Sequence, residues 1–135
     1  MTVGLDTSVA LRLLIGEPAD QAEIARLLLV ASTNTTISDL VVGETYFALR
    51  HHYGVPHADA VRQLLALIDD ARVVPSAAAR IALGEALSAG SARRAPGFMD
   101  RLIRADYAEA HVEVITFDRN FARLTGVRLL GSSKQ

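Results

Sequence analysis

Val3-Gly4-Leu5-Asp6-Thr7-Ser8-Val9 is a short apolar run that stops on a carboxylate and two hydroxyls and then turns apolar again. Val3 to Leu5 reads as a short buried strand. Asp6, Thr7 and Ser8 are each able to cap a helix that begins near Val9 and runs to Ile15, where Gly16-Glu17-Pro18 stops it. A strand that passes directly into a helix through an acidic turn is the opening of a parallel α/β unit.

The same alternation continues along the chain. Ala19 to Ala31 has helical spacing, with Ile24, Leu27, Leu28 and Ala31 predicted to face the core. Thr36-Ile37-Ser38 reads as a strand, Asp39 to Tyr53 as a long helix closed by Gly54, and Pro56-His57 opens another helix through Ile68. Arg72-Val73-Val74 is a strand and Ser76 to Ala89 an alanine-rich helix. After a polar, basic loop over Gly90 to Gly97, Phe98 to Ala110 is helical. Val112 to Thr116 is a strand, Asp118 to Leu124 a short helix, and Val127 to Leu129 a last strand. Short apolar strands alternating with helices predict an α/β fold: a single three-layer domain over 1–130, with a central parallel sheet flanked by helices, and a flexible tail over 131–135.

Four carboxylates stand out against that frame. Asp6 and Asp118 fall at the carboxyl ends of strands, where open parallel sheets place their sites. Glu44 lies at the centre of a face made by Leu40, Val41, Phe47 and Ala48, and an unpaired buried charge there would cost several kcal/mol. Val42, Tyr46 and Leu49 make the other side of that helix apolar too. Asp100 lies in the first turn of its helix, where the dipole favours a negative charge. Taken singly, the three aspartates also read as helix caps, and Asp100 as the partner of Arg104 four residues on. Taken together, four converging carboxylates would repel, and a hard cation would remove that cost. Oxygen-only ligands suit Mg²⁺ or Mn²⁺ rather than Zn²⁺. Such a site favours metal-assisted phosphodiester hydrolysis.

Composition excludes several rivals. The chain has 135 residues, 50% of them hydrophobic, which is enough for a real core. It has no cysteine, so disulfides, thiolate metal sites and thiol catalysis are out. Lys134 is the only lysine, and receiver domains and haloacid-dehalogenase-type phosphatases both place a lysine in their acidic sites. Gly-Lys-Ser/Thr, GxGxxG after a strand, and GxSxG do not occur. The net charge of −1 does not by itself point to nucleic acid, although nearly every cation is arginine, whose planar fork suits phosphate. The first residues show no signal-peptide pattern and no apolar stretch spans a bilayer, so a cytoplasmic protein is expected.

Leu5-Asp6-Thr7-Ser8-Val9, Ile37-Ser38 before Leu40-Val41-Val42-Gly43-Glu44, Asp100-Arg101-Leu102-Ile103, and Thr116-Phe117-Asp118-Arg119-Asn120-Phe121 occur in that order. Over nearly the whole chain this resembles a PIN domain, and more closely the VapC-type toxins of bacterial toxin–antitoxin pairs. The resemblance implies a Mg²⁺- or Mn²⁺-dependent endoribonuclease acting on RNA such as tRNA, rRNA or mRNA. It also implies a small cognate antitoxin that inserts into the acidic cleft, and a homodimer. By motif match it makes Asp6, Glu44, Asp100 and Asp118 the metal-binding acids, with Ser8 and Thr116 as supporting polar groups. Asp106 departs from the pattern; it shares a face with Leu102, Ile103 and Ala110 and is expected to be a further buried acid. Arg104 and Arg119 are candidates for RNA phosphate or for pairing with the acids. The Ser91-Ala92-Arg93-Arg94 loop is a candidate contact with substrate or partner, with a solvated basic turn as its rival. The competing functions are a PIN-like module that binds RNA or a partner without chemistry, and a metal-dependent nuclease acting on DNA.

Overall fold

The computed structural model describes residues 2–32, 34–90 and 95–131. The Ser91–Arg94 loop and nearly all of the expected tail lie outside the described residues. The chain divides into two compact units, Met1–Ser76 and Ala77–Gln135.

In the first unit the order is β1 (Thr2–Leu5), α1 (Thr7–Ile15), α2 (Ala19–Ala31), β2 (Asn34–Ile37), α3 (Asp39–His51), α4 (His57–Ile68) and β3 (Val73–Pro75). The three strands are parallel in the order β1-β2-β3. Leu5 pairs with Ile37 and Ile37 with Pro75, so the carboxyl ends of all three strands lie on one edge. Asp6 caps α1 by accepting from the Val9 amide, and Ser38 caps α3 by accepting from the Val41 amide. Both helices therefore start at that edge. Gly16 closes α1 with φ 82°, and its amide bonds back to the Arg12 carbonyl. Ala10, Val42, Leu49, Val61, Leu64 and Ile68 form the buried centre of this unit with Ile37. Full burial of each large aliphatic side chain contributes about 1.5–3 kcal/mol.

The second unit holds α5 (Ala77–Ala89), α6 (Phe98–Glu109), β4 (Val114–Thr116), a 3₁₀ turn (Phe121–Arg123) and β5 (Val127–Leu129). The strands β4 and β5 are parallel, with Val114 opposite Val127. Ala78, Ala79, Ala82 and Ala86 of α5 are buried, as are Phe98, Leu102 and Ala105 of α6. Methyl-sized side chains on α5 let α6 pack closely against it. The expected α/β fold, parallel strands with flanking helices, is present; its strands hydrogen-bond as a three-stranded and a two-stranded set.

Several local expectations are corrected. The buried stripe of α2 is Ala22, Ala25 and Leu29, while Ile24 (66% exposed), Leu27 (59%) and Leu28 face outward. α2 packs against α1 through small residues, and hydropathy periodicity selects the larger ones instead. In α3 the buried stripe is Val42, Gly43, Thr45 and Leu49. The Glu44 face is the outer one, with Leu40 82% and Phe47 61% exposed. Glu44 therefore bears no burial penalty, and its case cannot rest on one. Asp106 is exposed, not buried, because Leu102 and Ala105 set the inward face of α6. The short helix expected from Asp118 is one 3₁₀ turn beginning at Phe121.

Candidate functional site

At the carboxyl edge of the first unit the shared start of α1 and α3 joins two of the predicted acids. Thr7, the first residue of α1, donates its hydroxyl to Glu44 Oε1 at 2.7 Å. Asp6 precedes Thr7 and is exposed; its Oδ1 accepts from the Ser8 hydroxyl (2.7 Å) and the Val9 amide (3.1 Å). The Ser8 hydroxyl and then the Val9 amide stabilise the ionised form and hold its carboxyl below the usual aspartate value. Asp6 is thus a cap, as its bland reading required, and also a carboxylate kept charged at a strand end.

In the second unit Asp100 occupies the first turn of α6, whose N-cap is Gly97 with no side-chain cap bond. Arg104 turns instead to Glu85 of α5, which it bonds through Nη2 at 2.5 and 2.6 Å. Asp100 therefore keeps the favourable first-turn position but not the Arg104 partner foreseen for it. Its carboxyl is half-buried and its pKa is raised, first by burial and then by the negative charge of Asp118; Arg101 offsets this only in part. Asp118 is fixed by its own turn: Oδ1 accepts from the amides of Asn120 (2.8 Å) and Phe121 (3.2 Å), and its amide donates to Thr116 Oγ1 (2.9 Å). Thr116 thus positions Asp118, which sharpens its predicted supporting role. Arg119 is exposed.

Each unit therefore holds two of the predicted acids: Asp6 and Glu44 in the first, linked through Thr7, and Asp100 beside Asp118 in the second. Among the described residues no three His, Cys, Asp or Glu groups converge tightly enough to hold a metal between them. Every donor in both pairs is a carboxylate oxygen, and Asp100 carries an electrostatic cost that a hard cation would relieve. On donor chemistry the residues fit Mg²⁺ or Mn²⁺.

Sequence reasoning treated Thr7 only as a possible cap and passed over Glu85, Arg80 and Arg123. Thr7 was marked by its place in Asp6-Thr7-Ser8. Glu85 had a weaker signal, a lone acid in the alanine-rich α5.

The sequence matches the family model described as PIN domain over residues 3–127. No curated protein matches it. Among solved structures, a crystal structure of VapBC2 from Rickettsia felis bound to a DNA fragment from their promoter is 18% identical, with a TM-score of 0.40. That match covers 96% of this chain and 97% of the other. No helix among the described residues is long and apolar enough to cross a membrane.

Proposed function

We propose, from the fact that this chain belongs to the PIN-domain family, that it is a metal-dependent endoribonuclease acting as the toxin of a toxin–antitoxin pair. The observation that carries the reading is the Asp100–Asp118 pair. A half-buried carboxyl set against a second carboxylate, which Arg101 and the first turn of α6 offset only in part, is a costly arrangement unless it serves chemistry.

In this reading Asp6, Glu44, Asp100 and Asp118 would hold Mg²⁺ or Mn²⁺. When bound, the ion supplies Lewis acidity at phosphorus and a water acidic enough to attack it. The chain's own groups do the positioning. Thr7 fixes the rotamer of Glu44, Ser8 and the Val9 amide keep Asp6 ionised, and Thr116 with the Asn120 and Phe121 amides aims Asp118. No nucleophilic side chain is required, so the RNA is cut without a covalent enzyme intermediate.

The reading also implies an antitoxin and a second copy of the chain as partners. The outward Ile24, Leu27 and Leu28 of α2, and Leu40 and Phe47 of α3, are apolar surface that a partner could cover. The second reading is a PIN-like module that binds RNA or a partner without cleaving. The hydrogen bonds that Thr7 and Ser8 already make to Glu44 and Asp6 favour it, since these two exposed acids have partners in the chain itself.

One experiment separates the two. The full chain is incubated with a broad RNA panel with Mg²⁺, with Mn²⁺ and with chelator, and the RNA ends are sequenced. Metal-dependent cleavage that disappears in Asp6→Asn and Asp100→Asn, along with growth arrest on expression, is the expected result. Full activity in both variants would sink the nuclease reading, and binding without cleavage would favour the module.

A further inference from the structure

Asp100 and Arg104 stand one helical turn apart on α6, the spacing at which an aspartate and an arginine ordinarily pair. They do not pair here. Arg104 reaches across to α5 and gives Nη2 to both carboxylate oxygens of Glu85, at 2.5 and 2.6 Å. Arg101, the neighbour of Asp100 in sequence, is turned the same way. Its Nη1 lies 3.6 Å from Glu85 Oε1, and its Nε donates to the Pro96 carbonyl at 3.1 Å. Their side chains are only 12% and 19% exposed, so one carboxylate fixes the two cations nearest to Asp100 in the sequence. Among the described residues no hydrogen bond or ion pair occupies the Asp100 carboxylate, and Arg101 offsets its charge only in part.

The Arg104 Nε is the second observation. It is buried and has no acceptor among the described residues. The guanidinium therefore has a donor to spare, which a second carboxylate would satisfy. Glu85, Arg101 and Arg104 line an open cleft of about 710 Å³, which Arg80 and Arg123 also line with contacts of their own. The open space gives Arg104 room to change partner. Its spacing from Asp100 and its unused donor both favour that change, and the grip of Glu85 opposes it.

We infer that Glu85 is a positioning residue for the Asp100 site: it withholds Arg104 from Asp100 and so keeps that carboxylate open to a divalent cation. An arginine paired with a carboxylate competes with a cation for the same oxygens, and displacing it lowers the cation's affinity. This role rests on the nuclease reading for the identity of the cation, whereas the withholding of Arg104 is measured without metal.

Melting temperatures of the full chain are measured in chelator for the parent, Asp100→Asn, Glu85→Gln and the two changes combined. In the parent background Asp100→Asn is expected to leave melting unchanged or raise it, because Asp118 opposes the charge. In the Glu85→Gln background the same change is expected to lower melting by about 2 °C, because it removes the new partner of Arg104. Mn²⁺ affinity is then read by titration calorimetry. Glu85→Gln is expected to weaken it roughly ten-fold, and Glu85→Gln/Arg104→Gln to restore it. A Glu85 that merely braces the two helices gives neither the inverted melting shift nor the restoration, since the double variant lacks the same brace. Arg104→Gln alone, which leaves Glu85 with Arg101, is expected to bind Mn²⁺ no more weakly than the parent. A loss there as large as in Glu85→Gln would overturn the inference, as would melting shifts of the same sign in both backgrounds. Mn²⁺ bound equally by the parent and Asp100→Asn would remove Asp100 from the metal site, and the melting shifts would still decide whether Glu85 withholds Arg104.

Discussion

Thr7 and Glu44 are 37 positions apart in sequence and joined by one hydrogen bond, the Thr7 hydroxyl donating to Glu44 Oε1 at 2.7 Å. The bond exists because β1 and β2 are in register, so that α1 and α3 leave the same edge of the sheet. Groups that orient metal-binding carboxylates typically change affinity or activity by about 10–100-fold when removed. Thr7→Val keeps the shape and loses the donor. It is expected to reduce Mg²⁺-dependent RNA cleavage about ten-fold with little change in melting temperature, whereas Thr7→Ser keeps most activity. Equal activity in Thr7→Val and the parent chain would remove Thr7 from the site.

Asp100→Asn removes a half-buried charge that Asp118 opposes. Without divalent metal the variant should melt no lower than the parent. With Mn²⁺ added, the parent should gain melting temperature in proportion to metal binding, and the variant should gain much less. Its cleavage should fall by at least ~100-fold. A variant that gains as much stability from Mn²⁺ as the parent would show that Asp100 is not a ligand.

Glu85→Gln leaves Arg101 and Arg104 without their shared counter-charge. A destabilisation of about 1–3 kcal/mol is expected by urea unfolding, because both guanidiniums remain partly buried. Unchanged stability in the variant would show that the two ion pairs contribute nothing to the packing of α5 against α6.

Asp70 accepts from Arg72 through both carboxylate oxygens and also from the Arg72 amide, at the turn that leads into β3. The Arg72 side chain is the larger cause and its amide the next, and together they hold the Asp70 pKa at about 2. A depressed folded-state pKa means stability that is present above the ordinary aspartate value and is lost as pH falls toward about 2. The pair is solvent-screened, so Asp70→Asn should cost only about 0.5–1 kcal/mol at neutral pH. That difference should shrink below about pH 4, near the ordinary aspartate value, and vanish near the folded-state value. Parallel urea titrations of parent and variant across acidic pH would measure it; a constant difference would contradict the assignment.

Leu29 and Leu27 lie two residues apart on α2 with opposite fates, the first buried and the second 59% exposed. Leu29→Ala should cost about 2–4 kcal/mol, and Leu27→Ala less than about 0.5 kcal/mol in the isolated monomer. A large stability loss from Leu27→Ala that depends on protein concentration would instead locate a self-association surface there.

Most elements were legible because each begins or ends with its own chemistry: Asp6 as a cap, Gly16 as a stop, Pro75 after a valine pair. Asp6, Asp100 and Asp118 stood out for the same local reason, at a strand end or in a helix's first turn, whereas Glu44 stood out on a mid-helix face that the structure turns outward. The inward faces were less so. α2 and α3 carry apolar residues on more than one side, and hydropathy ranks Leu27 above Ala25 and Phe47 above Thr45. Packing chose the opposite, because closely approaching helices need small side chains. Asp106 was misplaced in the same way.

The sequence by itself determined the alternation of strands and helices, the positions of the four carboxylates and the absence of any thiol or core lysine, since each is a property of neighbouring residues and composition. Only the tertiary structure decided which helix faces are covered, that Thr7 grips Glu44, that Arg104 belongs to Glu85 rather than Asp100, and that four arginines line one cleft. Those pairings join residues far apart in the chain, and strand register and helix packing set them, which no local pattern encodes.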